Sequence, residues 1–108
     1  MKEIRAVCRP NRLHALREAL RQIPGFPGLT VLEVKGFSAP ALIKNPTLQE
    51  DLTAFAAQIM VCTVAADNMV DAIVDVIVRE CQTGRIGDGL VWSIPIEGAR
   101  RIRDGSLF

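Results

Sequence analysis

Thr83-Gly84-Arg85-Ile86-Gly87-Asp88-Gly89 packs three glycines and an aspartate into seven residues between an amphipathic helix and a strand. Glycine has no Cβ, so such a turn takes positive φ and lets a bulky anion approach the backbone N–H groups. Phosphate is the obvious candidate. Gly84, just past the helix, is read as its C-cap. One cap needs one left-handed residue, so Gly87 and Gly89 are left over as a cradle. Arg100, Arg101 and Arg103 in the tail offer the opposite charge.

Upstream of the turn, Val70, Ile73, Val74, Ile77 and Cys81 form the buried stripe of a helix, with Asp71, Asp75 and Arg79 on its wet side and Asp67 or Asn68 as N-cap. Ile59 to Val64 before that helix reads as a strand. Leu90 to Ile96 after the turn reads as another, placed at an edge or ended by Pro95. The first half of the chain has the same grammar. Ile4, Ala6 and Cys8 alternate with Arg5, Val7 and Arg9 until Pro10 stops the strand. From Asn11, an expected N-cap, Leu13, Leu16, Leu20 and Ile23 recur at helical spacing. Pro24, Gly25, Pro27 and Gly28 end that helix, and Leu29 to Lys35 resumes as a strand.

Between Phe37 and about Gln58 the periodicity fails: Ser38, Pro40, Asn45 and Pro46 break regular structure, and only Leu48 to Ala57 hints at helix. A stretch of this length is either functional or a tolerated insertion. The order is therefore β-α-β-β-α-β with a long middle loop. This is an α+β, ferredoxin-like arrangement: an antiparallel sheet with two helices on one face. Both phases of the strands hold apolar residues, among them Val7, Met60, Cys62 and Val91, so the second sheet face requires another subunit to cover it.

With 108 residues and 49% hydrophobic content, residues 1–108 are expected to form one domain with a single core. Thirteen basic against twelve acidic residues, a net charge of +1, lack the excess that phosphate-backbone binding needs, so nucleic acid is not an expected partner. Lys2, Glu3 and Arg5 stand where a signal peptide would be apolar, and no long apolar run follows; a cytoplasmic location without membrane insertion is expected. Cys8, Cys62 and Cys81 suit neither a disulfide framework nor a zinc motif and read as reduced, mostly buried thiols. No metal site is expected. His14 reads as a helix-surface residue, and no nucleophile has an evident base, so an enzyme is not expected.

Three segments carry a resemblance to the PII signal-transduction proteins over most of the chain. They are Met1-Lys2-Glu3-Ile4 with Arg9-Pro10 and Arg17-Glu18-Ala19-Leu20; Leu29-Thr30-Val31 with Glu33-Val34-Lys35-Gly36-Phe37; and Thr83 to Gly89 with Arg101-Ile102-Arg103-Asp104-Gly105. The third is the most specific. The resemblance implies a homotrimer that binds ATP or ADP in clefts between subunits. It also implies control of a target protein, such as a membrane transporter or a metabolic enzyme, through the long loop at about 38–57. On the same basis Gly87, Asp88, Gly89, Arg101 and Arg103 fall on nucleotide-loop and tail positions. Gly36, Phe37 and Ser38 fall at the base of the long loop. Val7, Thr30 and Val64 match positions around adenine, and Gly28 joins the same set.

The departures narrow what is implied. Ser38, Ala39 and Pro40 replace a glycine, an arginine and a glutamine that helps hold magnesium and 2-oxoglutarate, and Gln58 or a neighbour replaces a lysine that binds the 2-oxoglutarate carboxylate. 2-Oxoglutarate is therefore not an expected ligand, and a small anion such as bicarbonate stands open in its place. The chain has no tyrosine, which excludes loop-tip uridylylation. Leu90 replaces a usual lysine beside the phosphates, which makes ADP or AMP a competitor to ATP. Apolar Leu42, Ile43, Leu48, Leu52 and Phe55 point to a different target, or to a loop folded onto its own trimer; nitrogen control is not assigned from the sequence. A small nucleotide-hydrolysing enzyme and a ligand-free structural trimer are the alternatives.

Overall fold

Hydrophobic alternation and helical periodicity resolve into β1 (Lys2–Cys8), α1 (Leu13–Arg21), β2 (Thr30–Gly36), β3 (Ala56–Ala65), α2 (Val70–Cys81) and β4 (Leu90–Pro95) in a computed structural model that describes residues 1–37 and 54–108. The sheet order is β2-β3-β1-β4 and every pairing is antiparallel, as the ferredoxin-like reading expects. β4 lies at an edge and Pro95 ends it, where its missing N–H breaks no ladder.

β1 and β3 send alternate residues to the helices. Ile4, Ala6 and Cys8 from β1 meet Ile59, Val61 and Ala65 from β3, and Leu16, Leu20 and Ile73 close over them with almost no exposure. Each fully buried branched side chain contributes about 1.5–3 kcal/mol. Thr63 is the buried polar residue of this face, and its hydroxyl donates to the Gly28 carbonyl at 2.6 Å, fastening the chain just before β2.

On the opposite face the register places Val7 beside Met60 and Leu90, Arg5 beside Cys62 and Trp92, and Glu3 beside Val64 and Ile94. The two charges in the β1 row pair with each other, Arg5 Nε on Glu3 Oε1. Most of the rest of that face is hydrocarbon. Among the described residues no helix crosses it, and Leu90 and Leu32 are 75% and 45% exposed.

Three local expectations are corrected. None of Asn11, Asp67 and Asn68 caps a helix: α1 and α2 are each entered through one turn of 3-10 helix, Pro10–Arg12 and Asp67–Met69, with no side-chain cap. The Leu13 N–H that an Asn11 cap would satisfy is taken by the Pro10 carbonyl, and the Asp67 carboxylate is taken by the Met1 ammonium at 2.6 Å. The hint of helix over Leu48 to Ala57 fails at its end, because Ala56 and Ala57 pair with Gly36 and Lys35; the remainder of that stretch up to residue 53 lies outside the described residues. The loop thus closes before 57. The tail also has unexpected order, with Arg100 and Leu107 bridged across a turn in which the Arg101 N–H reaches the Ser106 carbonyl at 2.8 Å.

The path from α2 into β4 depends on Gly89. Its φ is +104°, and a Cβ there would lie 1.7 Å from the Val7 carbonyl oxygen. Gly89→Ala is expected to destabilise the fold by about 3 kcal/mol or more, combining a strained φ with a backbone clash. Urea unfolding measures it, and an unchanged midpoint would show that β4 does not need this close approach.

Candidate glycine-loop site at the end of the sheet

α2 ends at Cys81, and Gln82 caps it in an extended conformation, its N–H on the Val78 carbonyl at 3.0 Å. Gly84, with φ +79°, is therefore not the C-cap that the sequence suggests. It belongs to a turn organised by Asp88. Asp88 Oδ2 accepts the N–H groups of Thr83 and Gly84 at 2.7 and 2.9 Å, and Oδ1 accepts the Thr83 hydroxyl. Arg9 completes the arrangement. Its Nε donates to Asp88 Oδ1 at 3.2 Å, and its Nη2 donates to the Ile86 carbonyl at 3.1 Å. Bonds from the Thr83 hydroxyl and N–H, then from Arg9 and Gly84, hold the Asp88 carboxyl well below the usual carboxylate range.

Beside this loop, an open cleft of about 560 Å³ is lined by Val7, Phe37, Gln58, Gly87, Asp88, Gly89, Leu90 and Trp92. A neighbouring cleft of about 470 Å³ shares Phe37, Gln58 and Gly87 and adds Arg9, Gly36 and Ile86. Gly36 has a visible reason: a Cβ there would lie 2.5 Å from Gln58 Oε1, so the glycine lets the Gln58 side chain lie across it. Phe37 meets Phe55 edge to face with ring centroids 5.0 Å apart, an arrangement that adds about 0.5–1.5 kcal/mol beyond burial.

The other predicted residues gather elsewhere. Gly28, Thr30 and Val64 line a separate cleft of about 380 Å³ together with Glu3, Cys62 and Phe108. Arg101 joins them through its guanidinium, 4.9 Å from the centre of the Phe108 ring. Arg103 is 82% exposed, with Nη2 3.9 Å from Asp104. Val7 stands opposite Met60 and Val64 opposite Glu3, so the two groups of residues are four positions apart along β1, roughly 13 Å. One chain therefore brings Val7, Gly36, Phe37, Gly87, Asp88 and Gly89 together and holds Gly28, Thr30, Val64 and Arg101 apart from them. Ser38 lies outside the described residues.

Two residues of these surroundings escape sequence reasoning. Arg9 stands out only as part of the Arg9-Pro10 resemblance, and its grip on a loop 79 positions away has no local signal. Phe108 follows a polar tail with no periodicity to mark it. His14 is exposed on α1, and Cys8 and Cys81 are buried while Cys62 is half-buried. Among the described residues no three His, Cys, Asp or Glu side chains cluster to hold a metal ion, and no helix is long and apolar enough to cross a membrane.

A ferredoxin-like sheet carrying a carboxylate-braced glycine loop at one end is the architecture that these observations define. The chain belongs to the nitrogen regulatory protein P-II family, whose model matches residues 1–106. It is 38% identical to the nitrogen regulatory protein P-II of Klebsiella oxytoca over 109 residues, covering 97% of this chain and 94% of that protein. The nitrogen regulatory protein P-II 1 of Escherichia coli (strain K12) matches at 38% with the same coverage, and the P-II protein of Cereibacter sphaeroides at 39%. Among solved structures, Arabidopsis thaliana PII bound to citrate superposes with a TM-score of 0.79 at 28% identity, covering 99% of this chain and 84% of that one. Membership makes the chain a regulatory signal transducer and not an enzyme.

Because its folded-state pKa is depressed, Asp88 braces the loop fully above the ordinary carboxylate value of about 4, and the bracing is lost only as pH falls below that through the folded value. The Thr83 and Gly84 amide resonances are expected to stay fixed from pH 7 to about 4 and to move below it. Movement centred on pH about 4, where an unperturbed carboxylate titrates, would show that the carboxylate is not held in this way.

Proposed function

We propose that this P-II protein acts as a cytoplasmic homotrimer that binds an adenine nucleotide between subunits and signals to a target protein through the segment that starts at Ser38. Residues 1–108 form one domain in this reading. The observation that carries it is the division of one chain's candidate residues into two clefts at different positions along the sheet. A surface that needs its own opposite side as partner makes a head-to-tail contact, and such contacts close into a ring when the rotation between neighbours divides a full turn. In a ring the glycine loop of one protomer meets Thr30, Val64, Arg101 and Arg103 of the next. The apolar sheet face, otherwise facing water, is buried in the same assembly.

Each half then has a chemical task. The backbone N–H groups of the glycine loop face phosphate oxygens, while the arginines supply charge-assisted and potentially bidentate bonds. Val7, Thr30 and Val64 supply the surroundings of the base. Leu90 is exposed at the loop with no charge to offer a terminal phosphate, which makes ADP or AMP a competitor to ATP, while Arg85 is the cation lining the same cleft. Gln58 is neutral where a dicarboxylate would need a cation, which disfavours 2-oxoglutarate. The nucleotide biases the segment beyond Phe37 to the extent that it binds one of its states better, with couplings of about 1–3 kcal/mol being typical. A membrane transporter or a metabolic enzyme is the class of target.

Calorimetric titration with ATP, ADP and AMP, alongside native mass spectrometry, tests the reading. The expected result is three subunits, binding of at least one nucleotide, and an affinity loss of about tenfold or more in Arg103→Ala, as for one charged contact removed. No heat at millimolar nucleotide, or full affinity in Arg103→Ala, would sink it.

A further inference from the structure

We propose that Arg9 is a positioning residue for the glycine loop, acting through Asp88 and the Ile86 carbonyl and not on the ligand. The proposal rests on the site reading above. Arg9 follows β1 directly, two residues after Val7, whose carbonyl backs Gly89. The end of β1 thus holds the loop twice, by main chain at Gly89 and by side chain at Asp88 and Ile86. Two nitrogens of one guanidinium are engaged, one on a carboxylate and one on a carbonyl. That fork is fixed by the plane of the group, and a lysine ammonium at the same place keeps the charge without the geometry.

Asp88 in turn holds the N–H groups of Thr83 and Gly84, so the chain of contacts runs from β1 through Arg9 and Asp88 to the first residues of the loop. Arg9 also lines the cleft that contains Gly36, Phe37 and Ala56. The base of the middle segment and the glycine loop therefore share this side chain, and displacement at one reaches the other through it. The Arg9 and Asp88 side chains are 33% and 21% exposed, so water screens the pair only in part.

The test is a double-mutant cycle on the full-length protein, read by amide hydrogen exchange without nucleotide and by ADP titration. Asp88→Asn is expected to speed exchange at Thr83 and Gly84 about tenfold, and Arg9→Gln about three- to tenfold, as for loss of a half-buried charged contact. At Thr83 and Gly84 the double variant should match Asp88→Asn and go no further, because Arg9 reaches those two N–H groups only through that carboxylate. Arg9→Lys should fall between the parent and Arg9→Gln. Exchange in the centre of β1 and β3 should be unchanged throughout, which separates a local effect from unfolding. ADP affinity should follow the same order. Parent-like exchange in Arg9→Gln, or effects that multiply in the double variant, would overturn the proposal. Lost ADP affinity with unchanged exchange would overturn it too, by placing Arg9 on the ligand. If the parent binds no nucleotide the site reading fails, and the exchange cycle still decides whether Arg9 positions the loop.

Discussion

The carbonyl oxygen of Val7 occupies the space where a side chain at position 89 would begin, and this contact fixes how the chain passes from α2 into β4. Val7 lies on β1, an interior strand paired on both sides, whose position is set by β3 and β4 together. The glycine loop is thus laid against an interior strand of the sheet. The same strand end supplies Arg9, which reaches Asp88 and Ile86 and turns a flexible sequence into a braced one. A loop rich in glycine loses much conformational freedom on ordering, and these bonds offset that loss. Nucleotide contact by backbone amides requires such bracing, because misplaced donors bind weakly.

The sheet gives the loop its place and also leaves one face unfinished. α1 and α2 cover Ile4, Ala6, Cys8 and their partners, while Val7, Met60, Cys62, Trp92 and Leu90 face away from both helices. Glu3 and Arg5, the charges in the β1 row of that side, pair with each other and so leave it with little net charge. A face of this kind resembles a core cut in half. In the proposed trimer its position between the two clefts would make assembly and ligand binding properties of a single surface.

Much of this architecture is legible in the chain because burial imposes periods that survive in sequence. The alternation of Ile4, Ala6 and Cys8 and the helical spacing of Leu13, Leu16 and Leu20 report which face meets the core. Local signals fail where a distant group competes. Asp67 has the composition of a helix cap, yet the Met1 ammonium takes its carboxylate. Gly84 sits where a helix cap is common, yet Asp88 claims its N–H. Ala56 and Ala57 favour helix by propensity and become strand by pairing with β2. The glycine cradle and the basic tail are visible in the residues and the other candidates rest on a resemblance, but their separation into two clefts is not legible in a linear string. That separation follows from β1 running between Glu3 and Val7, which only the register makes visible.

Gly36 pairs with Ala56, and Phe37 meets Phe55 ring to ring immediately outside that pair, so both ends of the middle segment are fastened side by side. Closing a chain whose ends already touch depends only weakly on what lies between them, about 0.6 kcal/mol for each doubling of its length. The length of the segment between these ends can therefore change at small thermodynamic penalty to the sheet, and any such segment is anchored next to the same cleft. The scaffold is in this sense a socket, which holds whatever segment joins its two fastened ends.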